Sequence, residues 1–188
     1  MFIDKTAGRI EVIQGCMFAG KTEELIARLR AAMEGGLKTA AFKHAIDERY
    51  DPDHIITHTR DRFTAFRVPD GAAIERLAGE AAVIGIDEGH FFGLSLVDSV
   101  RRLRDRGKRI IIVGLEHDAW GRPFTPMPQL AEIAHSVLSK RIGCTVCGEA
   151  AMFTQRMVPV HTPTMVGGVG EYEPRCRTHF QPLDGEPR

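Results

Sequence analysis

Residues 9–22 read RIEVIQGCMFAGKT. Arg9 to Gln14 is rich in β-branched side chains and ends at a glycine, which predicts a strand. From Thr22 to Met33, apolar residues recur at Leu25, Ile26, Leu29 and Met33 and stop at Gly35-Gly36, which predicts a helix. Between the two, Gly15, Cys16, Met17, Phe18, Ala19, Gly20, Lys21 and Thr22 fit G-x-x-x-x-G-K-S/T. The pattern depends on its setting: glycines let successive N–H groups turn inward around phosphate oxygens, and the helix amino end adds partial positive charge. Lys21 then reaches the outer phosphates, and the Thr22 hydroxyl can ligate magnesium. A chance glycine turn is the bland alternative, and the strand before it and helix after it argue against that.

Working outward, Thr39 to Phe42, Ala82 to Ile86 and Arg109 to Val113 are short unalternating apolar runs, the pattern of strands buried on both faces. Leu94 to Arg106 sets Leu94, Val97, Val100 and Leu103 on one helical face, and Gln129 to Lys140 repeats the period with Leu130, Ile133, Ala134, Val137 and Leu138. The expected fold is α/β: a P-loop NTPase-like parallel sheet flanked by helices. Composition shifts near Ile142 to a cysteine pair, β-like pieces over Ala151 to Met157, a Pro/Gly-rich stretch from Pro159 to Gly170, then Cys176 and His179. The expected division is a nucleotide-binding core over 1–141, a metal-stapled lobe over 142–181 and a loose tail over 182–188. Residues 43–62 are polar and aperiodic, which predicts a long excursion.

A site of this kind needs a buried strand ending in an acid on the magnesium side. Val83 to Ile86 followed by Asp87 and Glu88 supplies it. Asp87 takes the magnesium side, and Glu88, on the other side of the strand end, is placed to accept a proton from a substrate hydroxyl, a solvated loop carboxylate being the alternative. Cys144-x-x-Cys147 and Cys176-x-x-His179 have the order and spacing of tetrahedral zinc ligands with no open position, so the metal is structural.

The chain has 188 residues, 25 basic against 25 acidic side chains, 43% apolar residues and four cysteines. Zero net charge gives no footprint for general nucleic-acid binding. The apolar run Ile110 to Val113 is strand-sized, far below a membrane span, and MFIDKTAGR lacks a secretory apolar run, so the expectation is a cytoplasmic protein with reduced thiols.

Taken together, GCMFAGKTEEL, IDEGHFF, GLEHDAWGRPF and the Cys144/Cys147/Cys176/His179 quartet, with Gly167-Gly168 and Tyr172 before its second half, resemble the zinc-containing, type II thymidine kinases over nearly the whole chain. The resemblance implies transfer of the γ-phosphoryl group of ATP to the 5′-hydroxyl of thymidine, with Glu88 as base. It implies structural zinc, a lasso-like loop closing over the nucleoside up to Tyr172, and a homotetramer. It places Met17, Phe91, Leu115, Phe124 and Thr154 around the nucleoside and Gly167 and Tyr172 in the lasso. On residue chemistry alone Met17, Phe91 and Tyr172 read equally well as core.

Cys16, Thr59, His90, Glu116 and Ala119 stand where the family commonly has proline, aspartate, glutamine, aspartate and an aromatic residue. These flank the nucleoside pocket or the magnesium loop, so they bear on which pyrimidine deoxynucleoside is preferred. Trp120 either restores the aromatic wall by a one-residue shift or packs on a neighbour, and His90 reads as a positioning or a surface residue. His58 and Arg60 lie in THTR, similar to the family's histidine-containing loop near the phosphates, and read equally well as a solvated loop. A nucleotide sensor without transfer is the competing class, and a base beside the magnesium aspartate argues against it.

Overall fold

The computed structural model describes residues 8–47, 53–57, 60–158 and 170–183. Strand β1 (Arg9–Gly15) turns through the glycine loop into helix α1 (Lys21–Glu34), followed by β2 (Thr39–His44). A hairpin of β3 (His54–Ile56) and β4 (Arg62–Thr64) precedes β5 (Phe66–Val68) and the short helix α2 (Gly71–Leu77). Then come β6 (Val83–Ile86), a 3-10 turn (Gly89–Phe92), α3 (Ser95–Asp105), β7 (Arg109–Leu115), α4 (Met127–Glu132) and β8 (Ser136–Ser139). Six strands form one parallel sheet in the order β5-β2-β6-β7-β1-β8.

Strand periodicity assigns each side chain to a layer. Ile10, Val12, Ile84, Ile86, Ile110 and Ile112 pack with Ile74 of α2, Leu96, Val100 and Leu103 of α3, and Met127 and Leu130 of α4. Ile13, Val83, Ile111 and Val113 face the other way, onto Leu25, Ile26 and Leu29 of α1. Each of those three helix residues is at most 1% exposed and contributes about 1.5–3 kcal/mol of burial. Gly85 permits that closeness: a Cβ there would stand 2.7 Å from a Leu29 methyl.

The helix expected over Gln129 to Lys140 is corrected by the structure. Only Met127–Glu132 is helical, and Ser136–Ser139 pairs parallel with β1. The apolar residues that look like one helical stripe serve opposite faces of the sheet: Ile133 and Ala134 pack on the α2/α3 side and Leu138 on the α1 side. The sheet edge decides the outcome, since β1 would otherwise present unpaired N–H and C=O groups. His135 and Lys140 donate their N–H groups to the carbonyls of Ile10 and Gln14, and His135 Nδ1 accepts from the Ile10 amide at 3.1 Å.

The described part of the expected excursion carries β3 and β4, with Ile55 buried and Phe63 packed on the α1 side, and β5 and α2 follow it. Asp70 caps α2, accepting from the Ala73 amide at 2.7 Å. Past β8, two small antiparallel pairs replace the large sheet: β9 (Ile142–Gly143) with β10 (Ala150–Ala151), and β11 (Phe153–Arg156) with β12 (Tyr172–Arg175). No helix among the described residues is long and apolar enough to cross a membrane.

Candidate functional site

Register brings three chain segments to one edge of the sheet. Gly15 lies opposite Leu115, and Ile86, just before Asp87, pairs with Phe42 and Ile112. The glycine loop, the Asp87-Glu88 turn and the segment after β7 therefore all leave from carboxyl ends of parallel strands, where ligands of such sheets bind. An open groove of about 580 Å³ lined by Met33, Leu37, Phe66 and Leu77 sits instead at the amino ends of β2 and β6 and contains none of the candidate site residues.

The 15–22 loop is shaped by three residues of positive φ. Gly15 has φ 151° and a Cβ there would lie 2.4 Å from the Lys140 carbonyl oxygen, Phe18 has φ 65°, and Gly20 has φ 75° where α1 begins. Such alternation aims backbone amides into a concavity that suits anions. Lys21, 8% exposed, folds back and donates from Nζ to the Cys16 carbonyl at 2.7 Å, which holds its charge over the loop. The Thr22 hydroxyl faces Asp87 Oδ1 at 3.4 Å, and that oxygen also accepts from the Glu88 amide at 3.1 Å. Asp87 is 5% exposed. A hydroxyl and a buried carboxylate at this separation, beside the glycine loop, are oxygen donors of the kind that suit magnesium.

Glu88 has φ 49° and ψ 47°, a left-handed conformation that a side chain adopts only where surroundings enforce it. Its carboxylate is 14% exposed and stands 3.6 Å from His90 Nδ1. His90 is buried, which settles its sequence reading against a surface residue. Its ring centroid lies 4.3 Å from that of Phe91 and 4.6 Å from that of Phe124, and its Nδ1 accepts from the Leu115 amide at 3.2 Å. Phe91, Leu115 and Phe124 thus surround one imidazole next to Glu88.

Met17 and Thr154 meet across the loop: the Met17 amide donates to Thr154 Oγ1 at 3.0 Å, with both residues buried. Tyr172 opens β12 opposite Arg156. Gly167, with His58 and Thr59, lies outside the described residues. Arg60 has φ 66° and donates its amide to the Thr57 carbonyl. Trp120 packs under the Arg122 guanidinium, 5.5 Å from the ring centroid, and Glu116 pairs with Arg141 at 2.8 Å.

Cys16 has a role that its place in the loop motif did not reveal. It is 1% exposed, its thiol is directed at the Ala151 carbonyl at 3.7 Å, and it packs with Ala19, Cys144, Ala151 and Cys176. Burial pushes this thiol up, against the pull of the Lys21 charge. The loop is therefore seated on the lobe that carries the Cys144/Cys147/Cys176/His179 quartet.

Cys144, Cys147, Cys176 and His179 present their ligand atoms within 4.8 Å of one another. Cys147 and Cys176 sulfurs are 3.7 Å apart, and Cys176 Sγ is 3.3 Å from His179 Nδ1. Zinc–sulfur bonds of about 2.3 Å in a tetrahedron require edges of about this length, so the quartet fits zinc. Burial raises the Cys144 thiol, but amide N–H groups of Cys176, Val146 and Cys147 outweigh it and bring it to about 6, favouring the thiolate that binds metal.

Residues 8–180 match the family model described as thymidine kinase. Among curated relatives, a thymidine kinase of Bdellovibrio bacteriovorus is 44% identical over 178 residues, 94% of this chain and 87% of the relative. One of Coprothermobacter proteolyticus is 43% identical over 180 residues, 93% of this chain and 91% of the relative. A third, of a Rhodothermus species, is 41% identical over 177 residues, 94% and 83% of the two chains.

Proposed function

This chain belongs to the thymidine kinase family, and on that premise we propose that it transfers the γ-phosphoryl group of ATP to the 5′-hydroxyl of thymidine, releasing thymidine monophosphate and ADP. The observation that carries the detailed reading is the convergence of the 15–22 loop, the Thr22/Asp87 pair and the Glu88 carboxylate at the ends of β1 and β6.

Phosphoryl transfer asks a protein mostly to position groups and neutralise charge. Loop amides from Gly15 to Thr22 receive the phosphate oxygens, and Lys21 exchanges the Cys16 carbonyl for them. Thr22 and Asp87 would hold the magnesium, which neutralises charge on the phosphates when bound. Glu88, largely shielded from water, takes the proton from the 5′-hydroxyl as it attacks. Met17, Phe91, Leu115, Phe124 and Thr154, with Gly167 and Tyr172 from the lasso, hold the nucleoside. Cys144, Cys147, Cys176 and His179 would hold structural zinc, dividing the chain into a core over 1–141, a lobe over 142–181 and a tail from 182. A cytoplasmic homotetramer completes the reading; sedimentation of the purified protein checks the assembly.

The test is incubation with magnesium-ATP and a panel of natural nucleosides. Thymidine is the expected acceptor; binding of thymidine triphosphate with no nucleoside-dependent ADP release would favour a sensor. Glu88→Gln should lower kcat about 10²–10⁴-fold with little change in KM for ATP, the range of a lost general base. A Glu88→Gln protein working at the parent rate would remove Glu88 from that role.

A further inference from the structure

Lys140 belongs to none of the sequence motifs, yet the fold brings it to the glycine loop. Ser139 pairs with Gln14, the Lys140 amide donates to the Gln14 carbonyl at 2.7 Å, and the Lys140 carbonyl oxygen stands 2.4 Å from where a Gly15 Cβ would be. Its side chain then crosses the far end of the loop, with Cε 3.7 Å from the place of a Gly20 Cβ. The ammonium ends 3.7 Å from Glu24 Oε2 in the first turn of α1, beyond hydrogen-bond length, and Glu24 Oε1 is already bound by Arg28 Nε at 2.8 Å. The Lys140 side chain is 31% exposed, so this cation is loosely held and partly open to water. Arg141, next in sequence, is committed to Glu116 at 2.8 Å.

We propose that Lys140 is a second phosphate-binding cation of the donor site, receiving the phosphates of the nucleotide that lie farther from the acceptor hydroxyl. This rests on reading the 15–22 loop as the ATP site. Thr22, Asp87 and Glu88 meet on the β6 side of β1, and the sheet order β6-β7-β1-β8 puts Lys140 on the opposite side. Transfer requires the γ-phosphoryl group to face Glu88, so the rest of a nucleotide held by the loop extends away from β6, toward β8. Two lysines then flank one loop with separate tasks. Lys21, buried and part of the loop itself, reaches the end where the bond breaks. Lys140, on a flexible four-carbon stem, exchanges its loose contact with Glu24 for a phosphate oxygen. The exchange is favourable because a charge-assisted bond to phosphate is shorter and stronger than a 3.7 Å pairing whose carboxylate is shared with Arg28. It also sets a positive charge between the incoming phosphates and Glu23 and Glu24, whose carboxylates in the first turn of α1 would otherwise repel them.

A tether steadying the start of α1 is the competing role for this side chain, and the two roles differ in when they act. A tether shapes the loop before any nucleotide arrives, whereas a phosphate ligand contributes only once phosphate is bound. The main-chain contacts of Lys140 with β1 remain in a side-chain variant, so the loop keeps its support from β8 and the two roles can be separated.

Calorimetry on the full-length protein with magnesium-ADP should give Lys140→Met a Kd about 10–100-fold higher than wild type, the span of one lost charge-assisted bond. Lys140→Arg, which keeps the charge, should recover most of that affinity. Lys38→Met, removing an exposed lysine paired with Glu80 at the other end of the sheet, should bind as wild type. Amide exchange at residues 15–20 of nucleotide-free Lys140→Met should match wild type; lost protection there would make the side chain a structural tether and overturn the proposal. Should that variant not fold, wild type suffices. An amine-reactive acylating reagent, read by peptide mass spectrometry, should modify Lys140 in the free protein, and magnesium-ADP at about ten times its Kd should slow that modification about tenfold, the free fraction left by mass action. Lys38 should stay equally reactive, and equal reactivity of Lys140 with and without ADP overturns the proposal. Unmoved ADP affinity in Lys140→Met, with binding lost in Lys21→Met, overturns the role of Lys140 alone, whereas parent affinity in Lys21→Met removes the loop reading itself.

Discussion

At the scale of single residues, local motifs and distant contacts divide the site. Lys21, Thr22, Asp87, Glu88 and the Cys144/Cys147/Cys176/His179 quartet, which the fold brings within 4.8 Å, stand out in the sequence because their patterns depend on neighbours a few positions away. Thr154 shows what does not. It was placed beside the nucleoside by family likeness alone, yet its hydroxyl also satisfies the buried Met17 amide across 137 positions. Thr154→Val should leave that N–H without its acceptor, destabilising the fold by about 1–3 kcal/mol. For a chain of this length that corresponds to a melting temperature lower by about 2–4 °C per kcal/mol, measured by thermal denaturation. Thr154→Ser, which keeps the hydroxyl, should recover most of the loss; equal melting of the Val and wild-type proteins would show the amide to be satisfied otherwise. His90 and Cys16 were opaque for the same reason: their partners Leu115 and Ala151 lie 25 and 135 positions away, and no periodicity encodes such contacts.

At the scale of elements, β1, β6, β7, α1 and α3 were readable because each buries a regular stripe or both faces. β8 was not, since a run whose apolar residues serve two layers mimics a helix. β5 and α2, at three and seven residues, are too short for a period to emerge. β1 also carries a polar anomaly inside this apolar framework. Glu11, 3% exposed, accepts from Arg28 of α1 at 2.7 Å and from Arg109 of β7 at 2.8 Å, tying helix to sheet. Burial alone would raise its carboxyl, but bonds and charges from Arg109 and Arg28 prevail and hold it below the ordinary 4.5. A depressed folded value means the stabilisation is complete above the unfolded value and fades as pH falls through the folded one. Between pH 7 and pH 4 and below, wild type should therefore lose stability toward urea, and Glu11→Gln should lose less over that interval. At pH 7 the variant should be about 1–3 kcal/mol weaker, because Arg9, Arg28 and Arg109 lose the Glu11 charge and, among the described residues, only Arg28 keeps another carboxylate, Glu24. Parallel pH dependences for the two proteins would exclude Glu11 as the linked group.

At the scale of the molecule, the cysteine-and-histidine lobe and the 15–22 loop are one packed unit. Cys16 and Ala19 share an apolar cluster with Cys144, Ala151 and Cys176, Met17 bonds to Thr154 on β11, and Arg141 reaches back to Glu116 beyond β7. The lobe's own strands are two to four residues long, too little secondary structure to hold such contacts unaided, so on the proposed reading a metal on the Cys144/Cys147/Cys176/His179 quartet would supply much of its folding free energy. Removing the metal should then act at a distance. Chelation should lower the melting temperature and weaken binding of a non-hydrolysable ATP analogue about tenfold, or ~1.4 kcal/mol, although none of the four ligands belongs to the loop. Cys147→Ser is the cleanest variant, because Cys147 is the exposed ligand and is absent from the cluster that holds Cys16. Hydrogen exchange gives the decisive readout. Amides of residues 15–20 should lose protection in the metal-free protein together with those of 142–157, because the loop's left-handed turns are held from below by the lobe. If deprotection stopped at residue 142 and analogue affinity held, the metal would be stabilising only its own lobe, and the glycine loop would keep its shape from β1 and α1 alone.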